Sequence, residues 1–336
     1  MESNLTKLGS SLKVPIVQEL AKDKLETVPS RYIRLDHNHH LRSNLSSLPE
    51  IPIIDMQNLF DPDSIDSELG KLHNACQEWG FFQEFFNLPL EEKNKYYQET
   101  GDIEGYGQAF VVSEEQKLDW ADMFYIVTLP THLRKPHLIP KLPAKFRDAI
   151  ESYGAELKSL AMKILNQMAK ALQMKSEEIE SLFELEGLQS MRMNYYPPCP
   201  QPELVTGLCP HSDPDGLTIL LQVNEMEGLQ IKKDNIWIPV SPIPNAFVVN
   251  IGDIFEILTN GTYWSIEHRA TVNTKKERLS IATFLFPKLD GELGPSPCLI
   301  TPENPPKFKK IGVADYLRGM FSRELNGKSY LDAMRI

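Results

Sequence analysis

Leu208-Cys209-Pro210-His211-Ser212-Asp213 is the stretch on which the fold turns. In an extended strand successive side chains alternate between faces, so His211 and Asp213 project to one side and Ser212 to the other. An imidazole and a carboxylate then converge on one point, which suits a metal site better than a core strand. A His-x-Asp triplet is weak by itself, because such triplets also arise by chance in surface turns. Its weight depends on what the surrounding chain adds.

Downstream, Tyr263-Trp264-Ser265-Ile266-Glu267-His268-Arg269 reads as an extended run after Asn260-Gly261 and offers a second imidazole, His268. Two His and one carboxylate with the other positions open form the facial set of non-haem Fe(II) oxygenases. Ten residues after His268, Arg278-Leu279-Ser280 places a guanidinium and a hydroxyl on one face of a strand that continues as Ile281-Ala282-Thr283-Phe284. An inward Arg on an apolar strand is costly unless a carboxylate meets it, and its planar fork suits bidentate carboxylate binding. Upstream, Asn194-Tyr195-Tyr196-Pro197-Pro198 supplies a tyrosine hydroxyl. Taken singly, His268 reads as a core histidine, Arg278 as a strand-edge charge and Tyr196 as a turn aromatic. Their joint occurrence, in this order, favours the metal site.

Around this constellation, residues 217–222, 228–231, 236–240, 246–250, 263–272 and 278–286 read as short strands punctuated by turn residues, with a hairpin turn over 232–235. Short, closely spaced strands imply a sandwich, and the jelly roll is the version that carries ligands between its sheets. Residues 145–185 are helical instead: Phe146, Ile150, Leu157, Leu160, Ile164, Met168 and Leu172 recur at three-, four- and seven-residue steps. The fold class expected is mainly β with flanking helices, a double-stranded β-helix (jelly roll) core and a helical N-terminal region. Boundaries fall at 1–190 for a helical and mixed N-terminal region that does not fold by itself, 191–290 for the core and 291–336 for a helical tail. That tail carries a stripe of Val313, Tyr316, Leu317, Met320 and Phe321, which either covers the mouth of the barrel or simply packs on the sheet.

The set Asn-Tyr-Tyr-Pro, His-x-Asp, His and Arg-x-Ser resembles the plant 2-oxoglutarate- and Fe(II)-dependent dioxygenases. More narrowly, residues 193–222, 227–230 and 245–284 resemble the branch that holds the thebaine and codeine O-demethylases, the norcoclaurine synthase-like proteins and the senescence-related-gene-type oxygenases. The likeness runs from Leu8-Gly9-Ser10-Ser11-Leu12 to the Met334-Arg335-Ile336 end. It implies Fe(II) on His211, Asp213 and His268, with 2-oxoglutarate chelating the metal and pairing its distal carboxylate with Arg278, assisted by Ser280 and Tyr196. Asn194 would stand beside the metal, and Phe284 and Phe124 would wall the substrate pocket. Dioxygen is the second co-substrate and ascorbate the reductant. Oxidation of a methoxy carbon would release formaldehyde, the net result being O-demethylation; oxidation elsewhere would hydroxylate. The substrate implied is an aromatic alkaloid or phenolic of plant specialised metabolism.

The chain departs from this pattern after Gln83. There the family continues through a strand, an Asn-His-Gly turn and a helix, whereas this chain passes straight into Glu84-Phe85-Phe86. Roughly twenty residues are absent, about 30 Å if helical. A splice form, an error in the gene model or a tolerated deletion would each produce the gap. Two other readings therefore stand beside the oxygenase: a non-catalytic family member impaired by the deletion, and a non-oxidative condensing enzyme like the norcoclaurine synthase-like relatives.

Elsewhere the sequence is plainer. Val14, Ile16, Val17, Leu20 and Leu25 anchor an N-terminal arm with one short helix. Residues 50–55 read as a first strand, 64–79 as a helix, and Phe81-Phe82-Gln83 as the opening of a strand. Asp36-His37-Asn38-His39-His40 is taken as a solvated loop. Residues 101–110 resemble a substrate-side loop, since no phosphate-loop Lys follows their glycines. A net charge of −11 argues against nucleic acid or anionic membrane as partners. Four scattered cysteines and the lack of a long apolar run lead to the expectation of a cytoplasmic protein, a monomer acting on a small molecule.

Overall fold

β-Branched and aromatic residues in short runs, each ended by a turn former, generate two antiparallel sheets with a cavity between them. The computed structural model describes residues 9, 11–23, 25–34, 51–54, 80–139, 146–184 and 186–336, with 80–83 described as backbone alone. The larger sheet comprises β1 (Gly105–Gly107), β2 (Asp122–Leu129), β3 (Gln189–Tyr196), β5 (Leu217–Gln222), β8 (Phe247–Ile251) and β10 (Arg278–Leu285), in the order β1-β2-β3-β10-β5-β8. The smaller contains β4 (Leu208–His211), β6 (Leu229–Lys233), β7 (Ile236–Pro239) and β9 (His268–Ala270), in the order β4-β9-β6-β7. Spatial neighbours that are far apart in sequence, β3 beside β10 and β4 beside β9, are those of a jelly roll. β6 and β7 form the expected hairpin, with Asp234 and Asn235 both at positive φ (51° and 60°), as a two-residue turn of matching twist requires.

Alternation along each strand sorts the larger sheet into two faces. Tyr125, Arg192, Asn194, Ser280, Phe284 and Thr218 point between the sheets. Their neighbours Phe124, Met193, Ile281 and Ile219 point away and share a core with Ile150, Leu157 and Leu165 of the helix Phe146–Ala171. Truncating one of these, such as Leu157, removes contacts worth about 2–5 kcal/mol. The N-terminal helix Val17–Lys22 is fixed to the same sheet: the amides of Val17 and Gln18 donate to the two carboxylate oxygens of Asp122 at 2.8 and 2.7 Å. These are amides that a helix start leaves without an intrahelical partner. At the other end, the helix Val313–Phe321 buries all five stripe residues, and Gly327 bridges to His211. The Gly327 amide donates to the carbonyl of Pro210 at 2.9 Å, and Phe321 and Leu325 reach the cavity, so the tail closes on its mouth.

Several expectations need correction. Residues 51–54 form no strand; Ile53 and Ile54 are 78% and 66% exposed, and only Ile51 packs inward, against Leu220, Leu229, Val240 and Ala282. Residues 81–83 lie in a helix, Gly80–Asn87. Phe81-Phe82 and Phe85-Phe86 repeat at a four-residue step, which is a helical face and not an alternation. Residues 263–272 yield only the short strand His268–Ala270, because the preceding amides are satisfied by side chains: Tyr263 donates to Thr259 Oγ1 and Ser265 to Glu256 Oε2. The helix Asp253–Leu258 was not expected; all six of its residues are buried, so it shows no amphipathic period. The helix expected over 64–79 and the histidines at 37, 39 and 40 lie outside the described residues.

Candidate metal centre and oxo-acid pocket

The antiparallel register of β4 against β9 sets His211 directly opposite His268. Their rings lie 4.3 Å apart, and Asp213, two residues beyond His211, turns Oδ1 toward both, 3.6 Å from His211 Nε2 and 3.7 Å from His268 Nε2. The three ligand atoms fall within 4.8 Å of one another. Each imidazole has its Nδ1 against a backbone carbonyl, Cys209 O at 2.8 Å for His211 and Ile266 O at 3.2 Å for His268. An Nδ1–H that donates there leaves Nε2 as the free lone pair aimed at Asp213. The donor set and its tautomers fit a divalent first-row cation with several positions left open.

Asp213 is itself held. Its second oxygen, Oδ2, accepts from Thr218 Oγ1 at 2.7 Å and Asn250 Nδ2 at 2.8 Å, so Oδ1 alone faces the histidines. Burial opposes its charge, yet His268, His211 and Asn250 together hold the carboxyl well below the usual range. Burial lowers the pKa of His268, which favours the neutral imidazole a metal requires. Neither Thr218 nor Asn250 was singled out in the sequence. Their signal was the inward phase of β5 and β8, legible only once Asp213 is placed beside those strands.

Across the cavity, Arg278 is 2% exposed and has no carboxylate partner among the described residues. Its Nη2 donates to Gln222 Oε1 at 3.1 Å, its Nη1 to Ser280 Oγ at 3.4 Å, and its Nε has no partner. The guanidinium lies 5.2 Å over the ring of Tyr196, directly across the ladder from it, while Ser280 faces Asn194. Burial lowers the Arg278 pKa, with Tyr196 opposing. A buried cation whose partners are all neutral carries a desolvation cost that an incoming anion relieves. Asn194 likewise keeps Oδ1 without a partner.

The metal-site residues, Thr218, Asn250, Asn194, Tyr196, Arg278 and Ser280 line one cavity between the sheets, whose remaining wall is mostly apolar. Phe284 lies on that wall, as expected. Phe124 does not: it is fully buried on the far face of β2, stacked on Phe85 at 4.7 Å, while Met123 and Tyr125 face the cavity in its place. Among the described residues no helix is long and apolar enough to cross a membrane.

Comparison with known proteins agrees with this geometry. Residues 187–287 match the 2OG-Fe(II) oxygenase superfamily, and residues 51–84 and 83–142 match the N-terminal region of non-haem dioxygenases in morphine synthesis. The chain is 60% identical to oxoglutarate-dependent flavonoid 7-O-demethylase 1 of Ocimum basilicum, over 98% of this chain and 93% of that one. It is 52% identical to thebaine 6-O-demethylase of Papaver somniferum, with 100% of both chains covered across 362 aligned positions. The crystal structure of JOX2 in complex with 2OG, Fe and JA superposes with a TM-score of 0.84 at 35% identity, covering 98% of this chain and 99% of that one. A His-x-Asp and a distant His converging between two sheets, opposite a buried arginine, belong to this same lineage: the chain is a 2-oxoglutarate-dependent dioxygenase, a member of the 2OG-Fe(II) oxygenase superfamily.

Proposed function

We propose that His211, Asp213 and His268 hold the Fe(II), that Arg278, Ser280 and Tyr196 bind the distal carboxylate of 2-oxoglutarate, and that the enzyme O-demethylates a methoxylated phenolic of the flavonoid type. The observation that carries the site assignment is Arg278, a buried guanidinium in the metal cavity that no carboxylate among the described residues answers. Fe(II) held there would, with 2-oxoglutarate and dioxygen, supply an oxidant able to take hydrogen from a C–H bond, one oxygen atom of the dioxygen leaving in succinate as the oxo acid loses carbon dioxide.

The chain's own residues decide what that chemistry acts on. Arg278 and Ser280 fix one end of a flexible diacid, so its other end reaches the metal in one pose. Thr218 and Asn250 lock Asp213 so that one oxygen stays turned toward the histidines. Asn194, across the ladder from Ser280 on the same cavity wall, orders the space beside the oxo acid. Phe284 stacks the aromatic body of the substrate and excludes water from it. With a methoxy carbon presented, insertion of a hydroxyl gives a hemiacetal that collapses to a phenol and formaldehyde. The flavonoid demethylase named above, the more similar of the two demethylases, supports a phenolic over an alkaloid. We further propose ascorbate as the reductant and a monomer as the working unit.

A gap after Gln83 belongs to the same proposal. The N-terminal match breaks into two segments that meet at residues 83 and 84, and the alignment with the poppy enzyme runs over 362 positions against the 336 residues present. The metal cavity is assembled from residues on the far side of that gap. The assignment is tested by anaerobic titration of iron-loaded protein with 2-oxoglutarate, followed by visible charge-transfer absorption. The band is expected for the parent protein and lost in His211→Ala; a band of full intensity in His211→Ala would contradict the assignment.

A further inference from the structure

Arg192 is a cation in the same cavity that neither the metal nor the oxo acid accounts for. It lies on β3 between Met191 and Met193, which point to the opposite face and are fully buried there, so strand alternation drives its side chain into the cavity. Its Nε is buried with no hydrogen-bond partner, and no ion pair to it exists among the described residues. The residues directly across the ladder from it are engaged elsewhere or apolar. Across the ladder stand Ala282 on one side and Tyr125 on the other, and the Tyr125 hydroxyl donates to Ser190 Oγ at 2.8 Å. Among the described residues Arg192 and Arg278 turn their side chains to this cavity, against a single carboxylate, Asp213, which both histidines approach, while Arg269 turns to the other face of the smaller sheet. Arg278 has Gln222 and Ser280, and Arg269 donates to Gln230 and stacks on Trp237, whereas Arg192 has neither kind of support.

Its position along the strand separates it from the oxo-acid anchor. Arg278 pairs with Tyr196, four residues along β3 from Arg192, which is about 13 Å of strand. A five-carbon diacid held at Arg278 and running to the metal leaves Arg192 unused. Phe284 is two residues from Ala282 on the same face of β10, so an aromatic body lying on Phe284 comes within reach of the guanidinium.

We infer that Arg192 is a specificity-determining anchor for an acidic oxygen on the aromatic substrate, a phenolate or a carboxylate, held opposite the group presented to the metal. This rests on the proposed function, because it names a feature of the substrate of that same site. It predicts that a methoxylated aromatic with one ionisable group is preferred over its fully methylated counterpart. A charged hydrogen bond of this kind corresponds to about ten- to a hundredfold in affinity.

The test measures binding under anaerobic conditions to protein loaded with Fe(II) and 2-oxoglutarate, by fluorescence quenching, using three probes. These are a methoxyflavone with a free acidic phenol, the same flavone fully methylated, and a methoxyarene carboxylate. The parent is expected to favour one or both acidic probes over the capped one by tenfold or more; which of the two is favoured identifies the source of the acidic oxygen. Arg192→Met is expected to lose that preference while still binding the capped flavone, and Arg192→Lys to keep part of it. An Arg192→Met variant that discriminates as the parent does would overturn the inference, as would a parent that does not discriminate. If Arg192→Met binds nothing, Arg192→Lys decides: retained preference supports the anchor and lost preference overturns it. Failure of the wider reading is distinguishable in a second arm, in which the same probes are given with oxygen and succinate release is then absent with every one.

Discussion

At the scale of single residues the site divides into groups that meet a ligand and groups that hold those groups still. His211→Ala should lose iron and turnover together, whereas Arg278→Ala should keep its iron and raise the KM for 2-oxoglutarate by about ten- to a hundredfold, since one charged hydrogen-bonded anchor is removed. Metal analysis of the purified variants alongside kinetics separates the two. Asn250→Ala and Thr218→Val remove the groups that hold Asp213 Oδ2, and each should weaken Fe(II) binding by about ten- to a hundredfold without changing the ligand set. Unchanged iron affinity in both would show that Asp213 needs no such support. The three proposed metal ligands were legible in the sequence because their chemistry restricts residue type, spacing and order at once. Phe124 was misread for a reason visible in its strand: seven of the eight residues of β2 are buried, so no polar alternation announces which face meets the cavity. Arg192 was passed over in the sequence as well, although its place between two methionines, Met191 and Met193, was the available sign of an inward charge.

At the scale of elements, both chain ends are tied to the sandwich by buried carboxylates. Asp122 caps the helix Val17–Lys22, and burial pushes its carboxyl up to about 7 against the pull of the two amides it accepts from. With its folded pKa above the unfolded value of about 3.9, the folded state binds the proton more tightly between those values. Stability is therefore expected to fall as pH rises from about 5 through about 7, and urea midpoints across that range should lose this part of their slope in Asp122→Asn. Glu256, on the unexpected helix Asp253–Leu258, ties down the tail: Lys328 approaches one oxygen at 2.7 Å and Arg335 the other at 2.8 Å. Lys328 follows Gly327, which pairs with the strand bearing His211, so Glu256→Ala should loosen the mouth of the metal cavity as well as the tail. A loss of about 2 kcal/mol in chemical denaturation, accompanied by weaker iron binding, is the expected outcome. Sequence reading found the tail helix through its apolar stripe. It missed the clamp because ion pairs between distant segments leave no periodic trace.

At the scale of the whole molecule, the strands of the jelly roll were legible from their length, turn residues and alternation, and the long helix from its period. Two expected strands fail nearer the N-terminus, at residues 51–54 and 81–83, where short apolar runs were read as extended chain. A strand needs a neighbour, and Ile53 and Ile54 are exposed where residues 51–54 form no strand. Filling the proposed gap after Gln83 with about twenty residues should raise the thermal midpoint by roughly 3 °C, a shift of about 2 kcal/mol for a chain of this size. No change on restoration would mean the present connection is as stable as the longer one.

The most direct test of the central claim is the stoichiometry of succinate and formaldehyde released by iron-loaded protein given 2-oxoglutarate, oxygen and a methoxylated flavone. Oxidative O-demethylation is expected to give one formaldehyde for each substrate-dependent succinate, with loss of both in Arg278→Ala at low 2-oxoglutarate. Succinate formed with hydroxylated flavone and no formaldehyde would contradict demethylation, and flavone conversion with no succinate at all would contradict the oxygenase itself.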